Sequence, residues 1–140
     1  SDVCSSDLYA GKGGDGLELS ITGVATRYAA GGGGGTRNFN SSRDISPLGG
    51  ALGGLGGGGN GAKNWAGSAA TGYGCGGGGN GTLVLSTVGG YGSGGVLILA
   101  YPDYLPALNV GTGLTYDTPT TRQGYRVYRI TAGAGTITFW

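Results

Sequence analysis

Apolar and polar side chains alternate most clearly at the two ends of this chain. Leu17-Glu18-Leu19-Ser20-Ile21 has the period of two that marks a half-buried strand. Thr22-Gly23 then supplies turn residues, and the β-branched and aromatic run 24–28 predicts a second strand, giving a short hairpin. Near the other end, Tyr125, Val127, Tyr128 and Ile130 lead through Ala132-Gly133-Ala134-Gly135 into the alternating Thr136-Ile137-Thr138-Phe139-Trp140, which predicts a second hairpin over 124–140. Between them the apolar positions are sparse. Residues 36–48 are polar and read as a surface loop, 60–73 as a second insert, 82–85 as a brief apolar segment and 96–101 as a buried strand. Residues 102–123 carry three prolines and little glycine, and read as an irregular linker.

What fills the middle is glycine. Of 140 residues 37 are glycine, far above the usual proportion of about 7%, with tracts at 31–35, 56–59 and 76–79. Such tracts bury no side chain, so two states are open to them. One is a flexible, solvated linker. The other is a lattice of left-handed threefold helices close to polyproline II, rising about 3.1 Å per residue. Leu52 and Leu55, three apart, would share one face of such a helix. At roughly 0.5–1 kcal/mol of extra entropy per glycine relative to alanine, about thirty ordered glycines would cost about 15–35 kcal/mol. Only a dense network of hydrogen bonds between helices, flanked by apolar layers, offsets that. The tracts alternate with aromatic and branched residues, unlike a monotonous linker. The expected fold is therefore mainly β and irregular: a glycine-rich, polyglycine-II-like helix layer flanked by short strands and hairpins, with essentially no α-helix.

Charge and reactive side chains narrow the function. The net charge is +1 and charged residues make up 11% of the chain, so nothing steers it toward nucleic acid or a membrane. The longest apolar run, 96–101, is too short to cross a bilayer. There is no histidine, which removes the usual general base and the commonest metal ligand. Asp15, Glu18, Asp44, Asp103 and Asp117 are scattered, and Cys75 has no candidate base. Catalysis, cofactors and a metal site are not expected. Gly11-x-Gly13-x-x-Gly16 and Gly72-x-Gly74-x-x-Gly77 match the dinucleotide fingerprint but open no helix within a βαβ unit, so they follow from composition alone. Residues 10–18 and 76–83 echo a calcium β-roll repeat, but Gly81 stands where the second copy needs its aspartate. The arginines form no RGG repeat.

Recognition by loops on a rigid scaffold is the remaining chemistry. Arg37, Asn38, Phe39 and Asn40 lie in the first insert, and Lys63, Asn64, Trp65 and Tyr73 in the second. Aromatics beside amides and a cation stack on sugar faces, bond hydroxyls or anchor a protein surface. The plainer reading is that Trp65 and Phe39 simply cover the sides of the glycine layer.

Three segments carry a family resemblance. Leu19-Ser20-Ile21-Thr22-Gly23 followed by Tyr28-Ala29-Ala30 and the glycines 31–34 resembles a segment of glycine-rich domains in phage tail fibres and related metagenomic proteins. Residues 89–102 (GGYGSGGVLILAYP) look like the closing motif of that domain, and residues 124–139 resemble the hairpin that opens such a unit. Tyr128 stands where the family often has histidine, and Leu99 where arginine is common. The resemblance implies a distal, extracellular fibre domain of a virion, a polyglycine II scaffold whose loops bind a bacterial surface receptor (a glycan or an outer-membrane protein) for host attachment. It also implies contact with another tail-fibre protein and either a homotrimer or a single cap at the fibre tip. On this pattern 9–101 is the glycine-rich domain, 102–123 a linker and 124–140 the start of a second unit. Ser1-Asp2-Val3-Cys4-Ser5-Ser6-Asp7-Leu8 resembles a translated sequencing adapter and is expected to be non-native. The alternatives are a purely structural wall, filament or ice-binding module, or a degenerate calcium β-roll.

Overall fold

The computed structural model describes residues 10–36, 49–81 and 88–140. No helix occurs among them; the regular secondary structure is strand in three small sheets. The chain divides into two compact units: the described residues of Ser1–Leu17 with Arg27–Ser93, and Glu18–Thr26 with Gly94–Trp140.

The described residues of the first unit include seven extended segments that are not β-strands. In chain order they are s1 (11–16), s2 (30–36), s3 (50–55), s4 (58–62), s5 (67–72), s6 (76–81) and s7 (89–93). Their backbone bonds recur every third residue. Gly31 and Gly34 donate to Gly14 and Gly11, joining s2 antiparallel to s1. Gly33 and Thr36 donate to Gly59 and Ala62, joining s2 parallel to s4. Ala51 and Gly54 reach s2 at Gly34 and Gly31, while Gly13 and Gly16 reach s3 at Leu52 and Leu55. Gly76 and Gly79 bond Ala30 and Gly33, so s6 runs parallel to s2.

These pairings define two staggered layers. One holds s1, s2, s6 and s7 in that order, the other s3, s4 and s5. Each segment of the second layer bonds two of the first: s3 bonds s1 and s2, s4 bonds s2 and s6, and s5 bonds s6 and s7. A flat pleated sheet gives each strand two neighbours; here s2 has four.

Glycine is required in the tracts for space rather than for backbone freedom. None of the glycines 31–35 or 76–79 takes a positive φ. A Cβ on Gly32 would lie 1.9 Å from the Gly77 carbonyl oxygen, and one on Gly33 2.1 Å from that of Ala51. Left-handed backbone is confined to the reversals, as at Gly56 and Gly57 (φ 110° and 107°) between s3 and s4, where an L side chain would be strained. Side chains complete the lattice. The Asn60 Oδ1 accepts from Gly53 N at 2.9 Å and its N–H donates to the Ser68 hydroxyl, so one residue ties s3, s4 and s5 together. Cys75 is a free, buried thiol that accepts from Ala30 N and donates to the Gly56 carbonyl, both at 3.3 Å.

The first hairpin forms as expected, from β1 (Leu17–Leu19) and β2 (Thr26–Tyr28). It is not half-buried, however: Leu17 is 67% exposed. Its tip is held by the chain at 121–122, where the Thr121 hydroxyl donates to the Thr22 carbonyl and Arg122 to that of Ile21.

The second unit centres on an antiparallel sheet of β3 (Leu97–Pro102), β5 (Leu114–Asp117) and β6 (Tyr125–Gly133), with β6 in the middle. β4 (Asn109–Val110) pairs with β7 (Ile137–Thr138). This differs from the sequence reading in two ways. Residues 102–123 contain β4 and β5, and β6 does not pair with β7. The register shows why: Leu114 faces Gly133 and Asp117 faces Arg129, so β5 takes the edge of β6 that a hairpin partner would need. The prolines do not prevent this. Pro102 ends an edge strand, where its missing N–H breaks no ladder, and Pro106 and Pro119 lie in connections. Val127, Tyr128, Ile130 and Leu108 are buried. The Tyr128 ring packs on Tyr101 and Tyr116, each at 6.1 Å, and its hydroxyl accepts from Leu108 N. Burial, together with the Tyr128 hydroxyl, pushes the Tyr101 phenol above its ordinary pKa.

Candidate functional site

Of the residues singled out from sequence, Arg37, Asn38, Phe39 and Asn40 lie outside the described residues. The chain leaves the described part at Thr36 and returns at Gly49, and these two residues are joined by the Thr36 hydroxyl donating to the Gly49 carbonyl at 3.1 Å. Isolated bridges pair Thr36 with Lys63 and Gly49 with Ala62. Lys63, Asn64 and Trp65 thus sit on the s4–s5 turn at the end of the lattice where the first insert begins and finishes.

The turn has defined backbone. Asn64 takes φ 62°, a left-handed conformation that asparagine tolerates better than most residues. The Trp65 carbonyl accepts from Gly81 N at 3.2 Å, which anchors the turn to s6. Trp65 itself is 69% exposed. The Asn64 Oδ1 is buried and has no partner among the described residues. The ensemble is an outward-facing aromatic, a cation and an amide on a hydrogen-bonded base.

Tyr73 is placed elsewhere. It precedes s6, at the opposite end of s5 from Trp65. There its carbonyl accepts from Ala29 N, and its ring stacks on Tyr28 at 6.1 Å and 23°. Its position is that of a cover over the lattice end. The sequence could not separate it from Trp65, because the direction of s5 decides which end each residue occupies.

The carboxylates have identifiable roles. Asp15 accepts from Leu55 N at 2.8 Å and lies 3.6 Å from the Lys12 ammonium. The Leu55 N–H in particular holds its carboxyl below the ordinary pKa. It therefore closes the s1–s3 seam. No cluster of three metal-ligating side chains occurs among the described residues.

The second unit holds a cleft that no sequence motif announces. It has a volume of about 390 Å³ and lies where β6 begins. Asp103, Arg122 and Arg126 line it together with Gln123, Gly124 and Tyr125. Arg122 lies over the Tyr125 ring, 3.7 Å from its centroid. The Arg126 Nε donates to the Leu105 carbonyl at 3.0 Å. Asp103, Arg122 and Gln123 come from the stretch read as a linker and Gly124, Tyr125 and Arg126 from the one read as a hairpin, and β3–β6 pairing assembles them.

Comparison of the chain with family models, with curated proteins and with solved structures finds no match.

Proposed function

We propose that this chain is a non-enzymatic receptor-binding domain of the phage tail-fibre or adhesin type, in which a polyglycine-II bundle presents turns to a bacterial surface. The observation that carries the reading is the period-three bonding of s1–s7 in two staggered layers. A left-handed threefold helix points successive backbone groups in three directions, so each segment bonds several neighbours at once. Without Cβ atoms those neighbours approach closely, as the 1.9 Å gap at Gly32 requires. A bundle tied this way is stiff, and stiffness lowers the entropic cost of holding a binding turn in place.

Trp65 is the anchor. An exposed indole on a backbone-anchored turn buries a large area at low entropic cost when it meets a sugar face or a protein pocket. Lys63 and Asn64 supply a cation and an amide beside it. A glycan or an outer-membrane protein on the host is the partner class, and attachment is extracellular, from the virion. The test is binding of the labelled recombinant chain to a panel of bacterial strains, alongside Trp65→Ala. Saturable binding to some strains, weakened about 30-fold or more by the substitution, is expected. Binding to no strain, or equal binding by both proteins, rejects the reading.

A further inference from the structure

We propose that the cleft at the start of β6 is a second binding site, for a saccharide that carries a carboxylate. The inference does not rest on the Trp65 turn, which belongs to the other unit and shares no residue with it.

The charges of the cleft are the first ground. Elsewhere in this unit a carboxylate and a guanidinium on facing strands pair directly, as Asp117 and Arg129 do through two hydrogen bonds. Asp103, Arg122 and Arg126 line one cleft, yet no ion pair joins any of them among the described residues. Arg126 uses only its Nε internally, toward the Leu105 carbonyl, which leaves its terminal amino groups free for a ligand. Two cations against one anion favour a ligand bearing one negative charge, and a guanidinium fork matches a carboxylate in geometry. Asp103 then faces hydroxyls, for which a carboxylate is a strong acceptor.

Shape is the second ground. A volume of about 390 Å³ falls in the range of small-molecule sites, about 300–1,000 Å³. The lining is mostly polar, as hydroxyl-rich ligands need. Arg122 lies over one face of the Tyr125 ring, and the residue remains 39% exposed. Gly124 keeps the rim open: it has φ 74° and open space where a side chain would stand. Its carbonyl accepts from Asp103 N at 3.1 Å, so the residue that bares the rim also ties down the Asp103 backbone.

The test is titration of the full ¹⁵N-labelled chain with galacturonic acid and, separately, with galactose at the same ionic strength. With galacturonate, amide shifts centred on Gln123, Gly124 and Arg126 are expected. Galactose should bind at least about tenfold more weakly, the value of one hydrogen bond to a charged group. Arg126→Gln removes the charge and should bring galacturonate down to the galactose level while leaving the remaining amide spectrum in place. Gln123→Ala is a second, milder variant that touches no backbone bond and should weaken both sugars. Absence of shifts at these amides overturns the site. Equal binding of the two sugars, or undiminished galacturonate binding by Arg126→Gln, overturns the carboxylate assignment.

Discussion

Gly32→Ala, measured against Gly14→Ala, tests the packing of the glycine segments through a single methyl group. Both glycines lie outside the left-handed region, so alanine fits either backbone. At Gly14 a Cβ meets nothing within 4 Å, and the restricted unfolded chain should stabilise the protein by about 0.4–1 kcal/mol. At Gly32 a Cβ falls 1.9 Å from the Gly77 oxygen and 2.6 Å from its carbon. Segments s2 and s6 must then separate by more than 1 Å, since Cβ contacts below 3.0 Å essentially do not occur. That strains the bonds on either side, Gly76 N to Ala30 O at 2.9 Å and Gly79 N to Gly33 O at 2.8 Å. Overpacking costs about 1–3 kcal/mol and two weakened bonds about 1–3 kcal/mol together. A net loss of about 1–5.5 kcal/mol is expected after the unfolded-state gain. Urea unfolding followed by aromatic fluorescence reads it. If the two variants unfold within 1 kcal/mol of each other, the close approach of s2 and s6 is wrong.

The remaining expectations concern other parts of the molecule. Arg129 bonds both carboxylate oxygens of Asp117 across β5 and β6, and this holds the Asp117 pKa below its ordinary 3.8. A depressed carboxyl stabilises the fold above its unfolded pKa and stops doing so as pH falls through the folded value. Arg129→Gln should therefore cost about 0.2–1 kcal/mol at pH 7, since the pair is partly exposed. That difference should begin to shrink near pH 4 and vanish only below the lowered folded value; a gap that widens in acid contradicts the pairing. Cys75 is only 3% exposed, so alkylation of its tryptic peptide should be slow in the native protein and fast in urea. Rapid native labelling would show that the s2–s6 end is open. Asn60→Ala removes the acceptor for Gly53 N and should lower stability by about 1–3 kcal/mol, with no change in unit-two amide shifts.

That the described chain is strand and irregular backbone without helix was legible from sequence, because glycine tracts and short alternating runs are local signals. The carbonyls of Leu52 and Leu55 accept from Gly13 N and Gly16 N of s1. What stayed hidden depends on pairing between distant segments. β4 and β5 are two and four residues long and stand among prolines, so they carry too little periodicity to be seen. β6 looked like half of a hairpin because the following turn residues were right, but β5 outcompetes β7 for its edge. Asn60 read as the start of a loop and is a tie between three segments. Half of the candidate recognition residues lie outside the described chain. Of the rest, Trp65 is exposed, whereas Tyr73 stacks on Tyr28. The cleft could not be read, because Asp103 and Arg126 come together only through the β3–β6 register, in which Pro102 faces Tyr125.

Amide hydrogen exchange along s2 tests the central claim most directly. In the bundle, the N–H groups of Gly31 and Gly34 face s1 and those of Gly33 and Thr36 face s4, while Gly32 and Gly35 donate to no partner among the described residues. Protection should therefore repeat with a period of three: slow exchange at 31, 33, 34 and 36, and fast exchange at 32 and 35. A period of two would mean an ordinary strand, and uniformly fast exchange would mean that the glycine segments form no lattice.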